Sequence, residues 1–312
     1  MTCRLSSSFF TLRFRYPFRI AHGLRLETAA IRVSLTCGDD IYFGEATFPP
    51  YLSETQESAA AFIDRIPIDL YHTGMHPEAF YPILQSLSTG DHFAKAAVDM
   101  AIWNAYAGRK FTFPLPEKPP VSFYTIAVCN AEEMKERYLH GLSCGFHTFK
   151  LKLDGKEDQE IIRHFRLLSD MPFAVDANSS WTSLSEATKT ATFLREQGCL
   201  FVEQPFPPAH YQITEALKKT EIIPLIADES LQTIDDVEEI AKRFDGGNIK
   251  LLKCGGLTPG KIMAEKMNAM GLKILIGCMS ESTIGCESAA HLAGYADWLD
   301  LDGPFLTCDD RF

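Results

Sequence analysis

The sequence predicts an α/β fold: a parallel (β/α) barrel preceded by a smaller α+β unit. Three observations carry this reading. The chain has 312 residues, 46% of them hydrophobic, which is enough for a large core. After residue 115, eight short apolar segments alternate with amphipathic helical stretches. Charged residues close successive apolar segments at a nearly constant step.

Phe10, Leu12, Phe14 and Tyr16 alternate with Thr11, Arg13 and Arg15, a strand pattern. Arg4, Arg13, Arg15 and Arg19 could belong to a transit peptide, but the alternation favours a strand. Further strand-like segments lie at 31–36 and 41–44, with helical ones at 53–66 and 90–107. The second helix starts at Asp91 and repeats Ala94, Ala97, Val98, Ala101 and Ile102 at helical spacing. The proline-rich stretch 113–120 then breaks any element. The division is therefore 1–115 for the first domain and 116–312 for the barrel.

Barrel strands are expected at 122–127, 148–153, 173–176, 200–203, 224–228, 248–253, 273–277 and 298–302. Capping pairs mark helix starts between them, Ser183 with Glu186 and Thr233 with Asp236. The strand-bearing part spans about 180 residues, short beside the ~250 typical of a complete barrel.

Composition excludes several functions. Thirty Lys plus Arg against 41 Asp plus Glu give a net charge of −11. That argues against nucleic acid and against an anionic membrane as partner. No apolar run approaches the roughly 20 residues that span a bilayer. Nine cysteines occur without a Cys-x-x-Cys pair. They read as reduced thiols of a cytoplasmic protein.

The chemistry lies at the strand ends. Lys150 to Asp176 is 26 residues, Asp176 to Glu203 is 27, and Glu203 to Asp228 and Asp228 to Lys253 are 25 each. One strand, one helix and two loops fill such a step, so these residues should share one height at the barrel mouth. Asp176, Glu203 and Asp228 would repel one another there unless a cation sat between them. Oxygen ligands without His or Cys favour Mg²⁺. Lys150 and Lys152 alternate with Phe149, Leu151 and Leu153, so both face the interior. Lys253 is read as the end of the sixth strand, across the barrel from them. A metal flanked by opposed lysines suits removal of a proton from a carbon next to a carboxylate.

The motifs Lys150-Leu-Lys152, Asp176-Ala-Asn178, Glu203-Gln204-Pro205, Asp228-Glu229-Ser230 and Lys253-Cys-Gly-Gly256 together resemble the enolase superfamily, in its muconate-lactonizing subgroup. The resemblance covers nearly the whole chain. It implies a modified (β/α)7β TIM barrel with an N-terminal α+β capping domain. The segment Asp300-Leu-Asp302 is similar to the Asp-x-Asp signature of dipeptide epimerases, where the pair holds the substrate's terminal amine. The stretch 17–29, with Arg25, looks like the cap loop of L-Ala-D/L-Glu epimerases, and Gly44-Glu45-Ala46 with Tyr51 resembles the second cap loop.

The resemblance implies roles residue by residue. Asp176, Glu203 and Asp228 would bind one Mg²⁺. Lys152 and Lys253 would be the two acid/base lysines, with Lys150 beside the metal-bound carboxylate. Asp300 and Asp302 would bind the ammonium, and Arg25 the glutamate side chain. Thr125, Met279 and Ser280 would line the pocket, with Asn178 and Glu229 supporting the ligands from behind. The implied activity is epimerisation of an L-Ala-D/L-Glu dipeptide from cell-wall peptide, through an enediolate. The alternatives are an N-acylamino-acid racemase, an o-succinylbenzoate synthase or a muconate cycloisomerase, and outside catalysis a small-molecule-binding barrel. A homo-oligomer is compatible with the sequence. The segment that returns to the cap in relatives looks short or missing here. Residues 255–261 nearly fit a phosphate-binding loop, but Ile262 stands where Ser or Thr is required.

Overall fold

The computed structural model describes residues 3–21, 23–107 and 113–308. The chain opens with an antiparallel meander of β1 (Cys3–Ile20), β2 (Gly23–Cys37) and β3 (Asp40–Phe48). Alternation of buried and exposed residues along β1 and β2 leaves one face of this sheet for the core. Cys3 stands opposite Cys37, with Cα atoms 4.3 Å apart, and the two form a disulfide. This corrects the expectation of nine reduced thiols. Strand register, which brings together residues 34 positions apart, is invisible in cysteine spacing.

Three helices cover the sheet: α1 (Gln56–Ile63), α2 (Pro77–Leu87) and α3 (His92–Ala107). Thr55 and Ser58 form a capping box on α1. Helix α3 is apolar on most sides and buried; Ala94, Ala97, Val98 and Ala101 are fully enclosed. It touches β3 backbone to backbone. A Cβ on Gly44 would lie 1.9 Å from the Ala97 carbonyl oxygen, so only glycine fits there.

The barrel's first strand is broken into β4 (Val121–Ser122) and β5 (Tyr124–Ile126). It is followed by β6 (Phe149–Lys152), β7 (Phe173–Asp176), β8 (Cys199–Glu203), β9 (Leu225–Ala227), β10 (Gly246–Lys250), β11 (Lys273–Gly277) and β12 (Trp298–Asp300). All pairings are parallel; β4 pairs with β12 and β5 with β6, so the ring closes. Helices α4 (Ala131–Ser143), α5 (Asp158–Leu168), α6 (Leu184–Glu196), α7 (Tyr211–Lys218) and α8 (Val237–Ala241) make the first crossovers. The short α9 (Leu251–Cys254) leads into α10 (Leu257–Ala269), and α11 (Thr283–Ala290) precedes the last strand. Eight strand positions joined by seven helical crossovers are the (β/α)7β arrangement. Beyond β12, α12 (Gly303–Leu306) turns the chain back. Thr307 bridges to Phe14 and the Cys308 N–H donates to the Arg13 carbonyl, so the described C-terminal residues do reach the cap sheet.

Two-residue periodicity places the chemistry. Inside the barrel, Phe123, Ala174, Phe201, Ile226 and Leu275 form an apolar plug, with Trp298 against it. Two residues further along their strands come Thr125, Asp176, Glu203, Asp228 and Asp300. Side chains i and i+2 share a face, so these polar groups form the layer just above the plug. Phe149, Leu151 and Ile249 point outward into the layer between strands and helices. Among the described residues, no helix is long and apolar enough to cross a membrane.

Candidate active site

Asp176 ends β7, Glu203 ends β8, and Asp228 follows β9 by one residue. One oxygen of each lies within 4.8 Å of the others, and all three are buried. Lysines neutralise them. Lys150 Nζ is 2.6 Å from Glu203 Oε2 and 2.7 Å from Asp300 Oδ2. Lys152 Nζ is 2.5 Å from Asp176 Oδ2, and Lys250 Nζ is 2.7 Å from Asp228 Oδ2. Burial alone would raise Asp228, but Lys250 and Lys253 hold it well below the usual carboxylate range. Burial pushes Glu203 up to about 7, with Lys150 opposing. Glu203 Oε2 forms an ion pair with the Lys150 ammonium without a well-aligned hydrogen bond. Three buried, convergent carboxylates that offer oxygen donors alone fit Mg²⁺.

The sixth strand differs from the sequence reading. It ends at Lys250, and Lys253 lies on α9, where Gly255 and Gly256, with φ of +96° and +133°, stop the turn. Lys253 Nζ is tucked beneath Asp228, 2.7 Å from its carbonyl and 3.0 Å from that of Asn248. Burial lowers the Lys253 ammonium, against the pull of Asp228. Lys250 also feels burial, but Asp228 and Glu203 outweigh it and hold its ammonium above the ordinary value. Lys250 borders the open cavity and Lys253 does not. Lys250 ends the strand on the face of Asn248, which points into the barrel, whereas Lys253 comes after the strand, on the helical turn of α9.

The cavity holds about 280 Å³ between the cap and the barrel mouth. Lys152 and Lys250 border it from the second and sixth strand positions, which are opposite in a ring of eight. Thr125, Met279, Ser280, Asp300 and Asp302 line it, together with Arg25, Phe18, Ile20, Tyr51 and Leu306. Asn178 and Glu229 border it directly, not from behind the ligands. Asn178 adopts φ +43° and donates its N–H to Asp176 Oδ1 at 2.9 Å. Lys150, Asp176 and Glu203 form the sealed floor. A larger groove of about 690 Å³ lies behind the hairpin tip around Arg19, Arg137 and Lys156, but none of the strand-end lysines or carboxylates reaches it.

Asp300 and Asp302 share one side of the mouth. The Thr125 N–H donates to Asp302 Oδ2 at 2.5 Å, and its hydroxyl to Asp300 Oδ1 at 3.3 Å. Burial, then the Asp300 charge, pushes Asp302 up to about 7. Such a pair is stabilised by an arriving cation. Arg25 enters from the cap. Its guanidinium lies 5.3 Å from the Phe14 ring, 5.4 Å from Phe18 and 5.7 Å from Tyr51. Among the described residues it donates to Ser280 Oγ at 3.3 Å, while its buried Nε and Nη1 find no partner.

Two supports escaped the sequence. Gln204 donates to Phe206 O and Ser230 Oγ and accepts from the N–H groups of Asp228 and Ser230, at 2.7–3.0 Å. It thereby fixes the turn carrying Asp228. Asn248 donates to Glu203 Oε1 at 2.9 Å. Gln204 stood inside a recognised motif, and Asn248 shares the face of Lys250; both signals were available.

Residues 130–298 match the family described as Enolase C-terminal domain-like. The chain is 32% identical over 312 residues to the L-Ala-D/L-Glu epimerase of Bacteroides thetaiotaomicron, covering 97% of this chain and 80% of that protein. The chain belongs to the enolase superfamily. Within that superfamily its structure is similar to a substrate-liganded complex of the L-Ala-D/L-Glu epimerase from Bacillus subtilis, with TM-score 0.90 and 26% identity over 99% of this chain and 92% of that one. It is also similar to a dipeptide epimerase from Methylococcus capsulatus complexed with Mg and L-Arg-D-Lys, with TM-score 0.89 and 28% identity over 99% and 93%. Superfamily members so alike in fold bind different dipeptides, so the substrate must be argued from this chain's own cavity.

Proposed function

We propose that this enolase-superfamily member is an isomerase: a Mg²⁺-dependent dipeptide epimerase acting on L-Ala-D-Glu or L-Ala-L-Glu at the glutamate α-carbon. Asp176, Glu203 and Asp228 hold the metal, which when bound supplies a Lewis acid for the substrate carboxylate and for the charge left as the α-proton departs. Lys150 adds a fixed positive charge at the same floor. Lys152 takes the α-proton on one face, and Lys250, from the opposite strand, delivers one to the other. Lys250 replaces Lys253 in this role because it reaches the cavity. Asp300 and Asp302 take the ammonium, with Thr125 orienting both carboxyls. That need for an amine disfavours acylated or cycloisomerase substrates.

One observation carries the choice of glutamate. Arg25 is 9% exposed and, among the described residues, has no acidic partner, while its Nε and Nη1 find no acceptor there. A buried guanidinium in that state is complementary to an incoming carboxylate, which it binds by parallel hydrogen bonds. Met279 and Ser280 complete that wall. The cytoplasmic setting read from the sequence is kept in this reading; seven cysteines are free, and the Cys3–Cys37 bond is the feature against it. The test is incubation of a dipeptide library in D₂O with Mg²⁺, read by mass spectrometry for deuterium at the C-terminal α-carbon. Uptake into Ala-Glu above neutral dipeptides is expected. No uptake into any dipeptide by metal-loaded protein would overturn the proposal.

A further inference from the structure

Two carboxyl groups meet at the seam between cap and barrel, outside the catalytic constellation. Glu45, on β3, is completely buried. Its Oε1 accepts from the N–H groups of Ser282, at 2.7 Å, and Gly285, at 3.2 Å, and its Oε2 accepts from the Ser282 hydroxyl. These donors belong to the start of α11, where backbone N–H groups and the helix dipole favour a negative charge. Glu45 is therefore the ionised partner.

Glu281 lies beside it, 1% exposed. Its Oε1 accepts from the Met279 N–H at 2.7 Å, and among the described residues its Oε2 has no donor. A Cβ on Gly285 would fall 2.2 Å from Glu281 Oε2 and 2.9 Å from Glu45 Oε1, so both oxygens crowd one small space that only glycine leaves open. A buried carboxylate oxygen without a donor is costly, whereas a protonated one donates instead of accepting. Two adjacent carboxyls cannot both ionise cheaply. Burial, then the Glu45 charge, pushes Glu281 up to about 8. The other charged or titratable groups acting on the pair are Lys250 from β10, Arg32 from β2, Cys278 after β11 and Cys286 on α11; Asp300 and Asp302 act on neighbouring Cys278.

The segment between the two carboxyls matters for binding. Met279 and Ser280 line the substrate cavity, and Ser280 Oγ is the hydrogen-bond acceptor of Arg25. The Glu281 carbonyl also abuts Gly303, next to Asp302; a Cβ there would lie 2.2 Å from it. We propose that Glu281 is a positioning residue: its proton, held against Glu45 across the cap–barrel seam, keeps residues 279–282 in place beneath Arg25. Removing that proton puts a second negative charge beside Glu45 and releases the segment, so binding of the acidic dipeptide weakens at alkaline pH.

The proposal rests on the epimerase reading for its kinetic test only. KM for L-Ala-L-Glu is measured from pH 6.5 to 9.5 for the wild type, Glu281→Gln and Glu281→Leu. The amide of Glu281→Gln keeps the bond from Met279 and donates to Glu45 at every pH. The wild-type KM is expected to rise about tenfold more than that of Glu281→Gln across pH 8, while the alkaline limbs of kcat coincide. Glu281→Leu makes neither bond and raises KM about tenfold throughout. The substrate ammonium titrates alike in all three, so only the difference between profiles counts. Superimposable KM profiles for the wild type and Glu281→Gln would overturn the proposal. A second readout needs no turnover: the infrared difference between wild type and Glu281→Gln should contain a carboxylic-acid C=O band at pH 7 that vanishes above pH 8. If no dipeptide is epimerised but this band titrates, the function fails and the pair stands. If the band is absent, the pair fails whatever the activity.

Discussion

Lys152 and Lys250 face each other across the barrel mouth, each bound to a different carboxylate of the acidic triad: Lys152 to Asp176 at 2.5 Å, Lys250 to Asp228 at 2.7 Å. The same carboxylates that would ligate a cation thus hold the two bases. A metal taking up Asp176 and Asp228 competes with both ammonium groups, so metal binding and freeing of the bases are linked. Coulomb attraction at these separations is large in a buried site, and two lysines would be released together.

The lysine assignments separate by experiment. Lys152→Ala and Lys250→Ala should each lower kcat by about 10³-fold or more while the circular dichroism stays native. Lys253→Ala should act on the fold instead, because it strips one of two ammonium partners from buried Asp228, a change that costs about 1.5–3 kcal/mol. Urea unfolding reads that loss. An active Lys250→Ala beside a stable, inactive Lys253→Ala would return the role to Lys253.

Chelation should abolish epimerisation without unfolding the protein. Four lysines already compensate the floor carboxylates, so the metal-free site is not a cluster of bare charges. Added Mg²⁺ should restore turnover and raise Tm, corresponding to about 2.7 kcal/mol at a hundredfold excess over Kd. Unfolding on chelation alone would show that the lysines do not neutralise the triad.

Most of the barrel was readable because strand-end carboxylates and apolar runs repeat with the period of one β/α unit. Asp176, Glu203, Asp228, Lys150 and Lys152 fall where that period puts them. Lys253 does not, because the step to the sixth strand's end is shorter, 22 residues from Asp228 to Lys250, and Lys253 lies on the helical turn that follows. The Cys3–Cys37 pair and the bond from the Ser282 N–H to Glu45 depend on register and on cap–barrel docking. Both join residues far apart in sequence, and no local periodicity encodes them.

Arg25→Leu should shift preference from glutamate toward apolar C-terminal residues. Loss of a charged hydrogen-bond donor costs about 1.5–3 kcal/mol, or roughly 10–100-fold in KM for Ala-Glu. The aromatic ring around it, Phe14, Phe18 and Tyr51, remains to receive an apolar side chain. An unaltered preference in competition assays would dismiss Arg25 as the selector.

Ammonium binding should depend on Asp302. Its carboxyl is pushed up to about 7, so the free enzyme presents a full pair of charges only above that pH. The substrate amine loses its proton near 7.7–8.0 by its ordinary value. KM should therefore be lowest in the narrow interval between, and Asp302→Asn should raise it while flattening the acidic limb. The same shift has a stability sign. A raised folded-state pKa favours folding fully below the unfolded carboxyl value, and that contribution is lost as pH rises through 7. Apoprotein Tm should fall across this range by less in Asp302→Asn than in the wild type.

The cap sheet provides the last test. The Cys3–Cys37 bond closes a loop of 34 residues that contains the whole β1–β2 hairpin, including Arg25 near its tip. Chain-entropy arguments give such a cross-link about 3–4 kcal/mol of stabilisation. Thiol titration of the denatured, unreduced protein should count seven cysteines, and nine after reduction. Cys3→Ser should lower Tm by several degrees. Its effect on KM should be small, because the bond sits at the end of the hairpin opposite Arg25, and the Val128 N–H still ties down the Arg19 carbonyl beside the tip. A large rise in KM with unchanged Tm would instead make the disulfide a determinant of the cap loop's position and not of the sheet's stability.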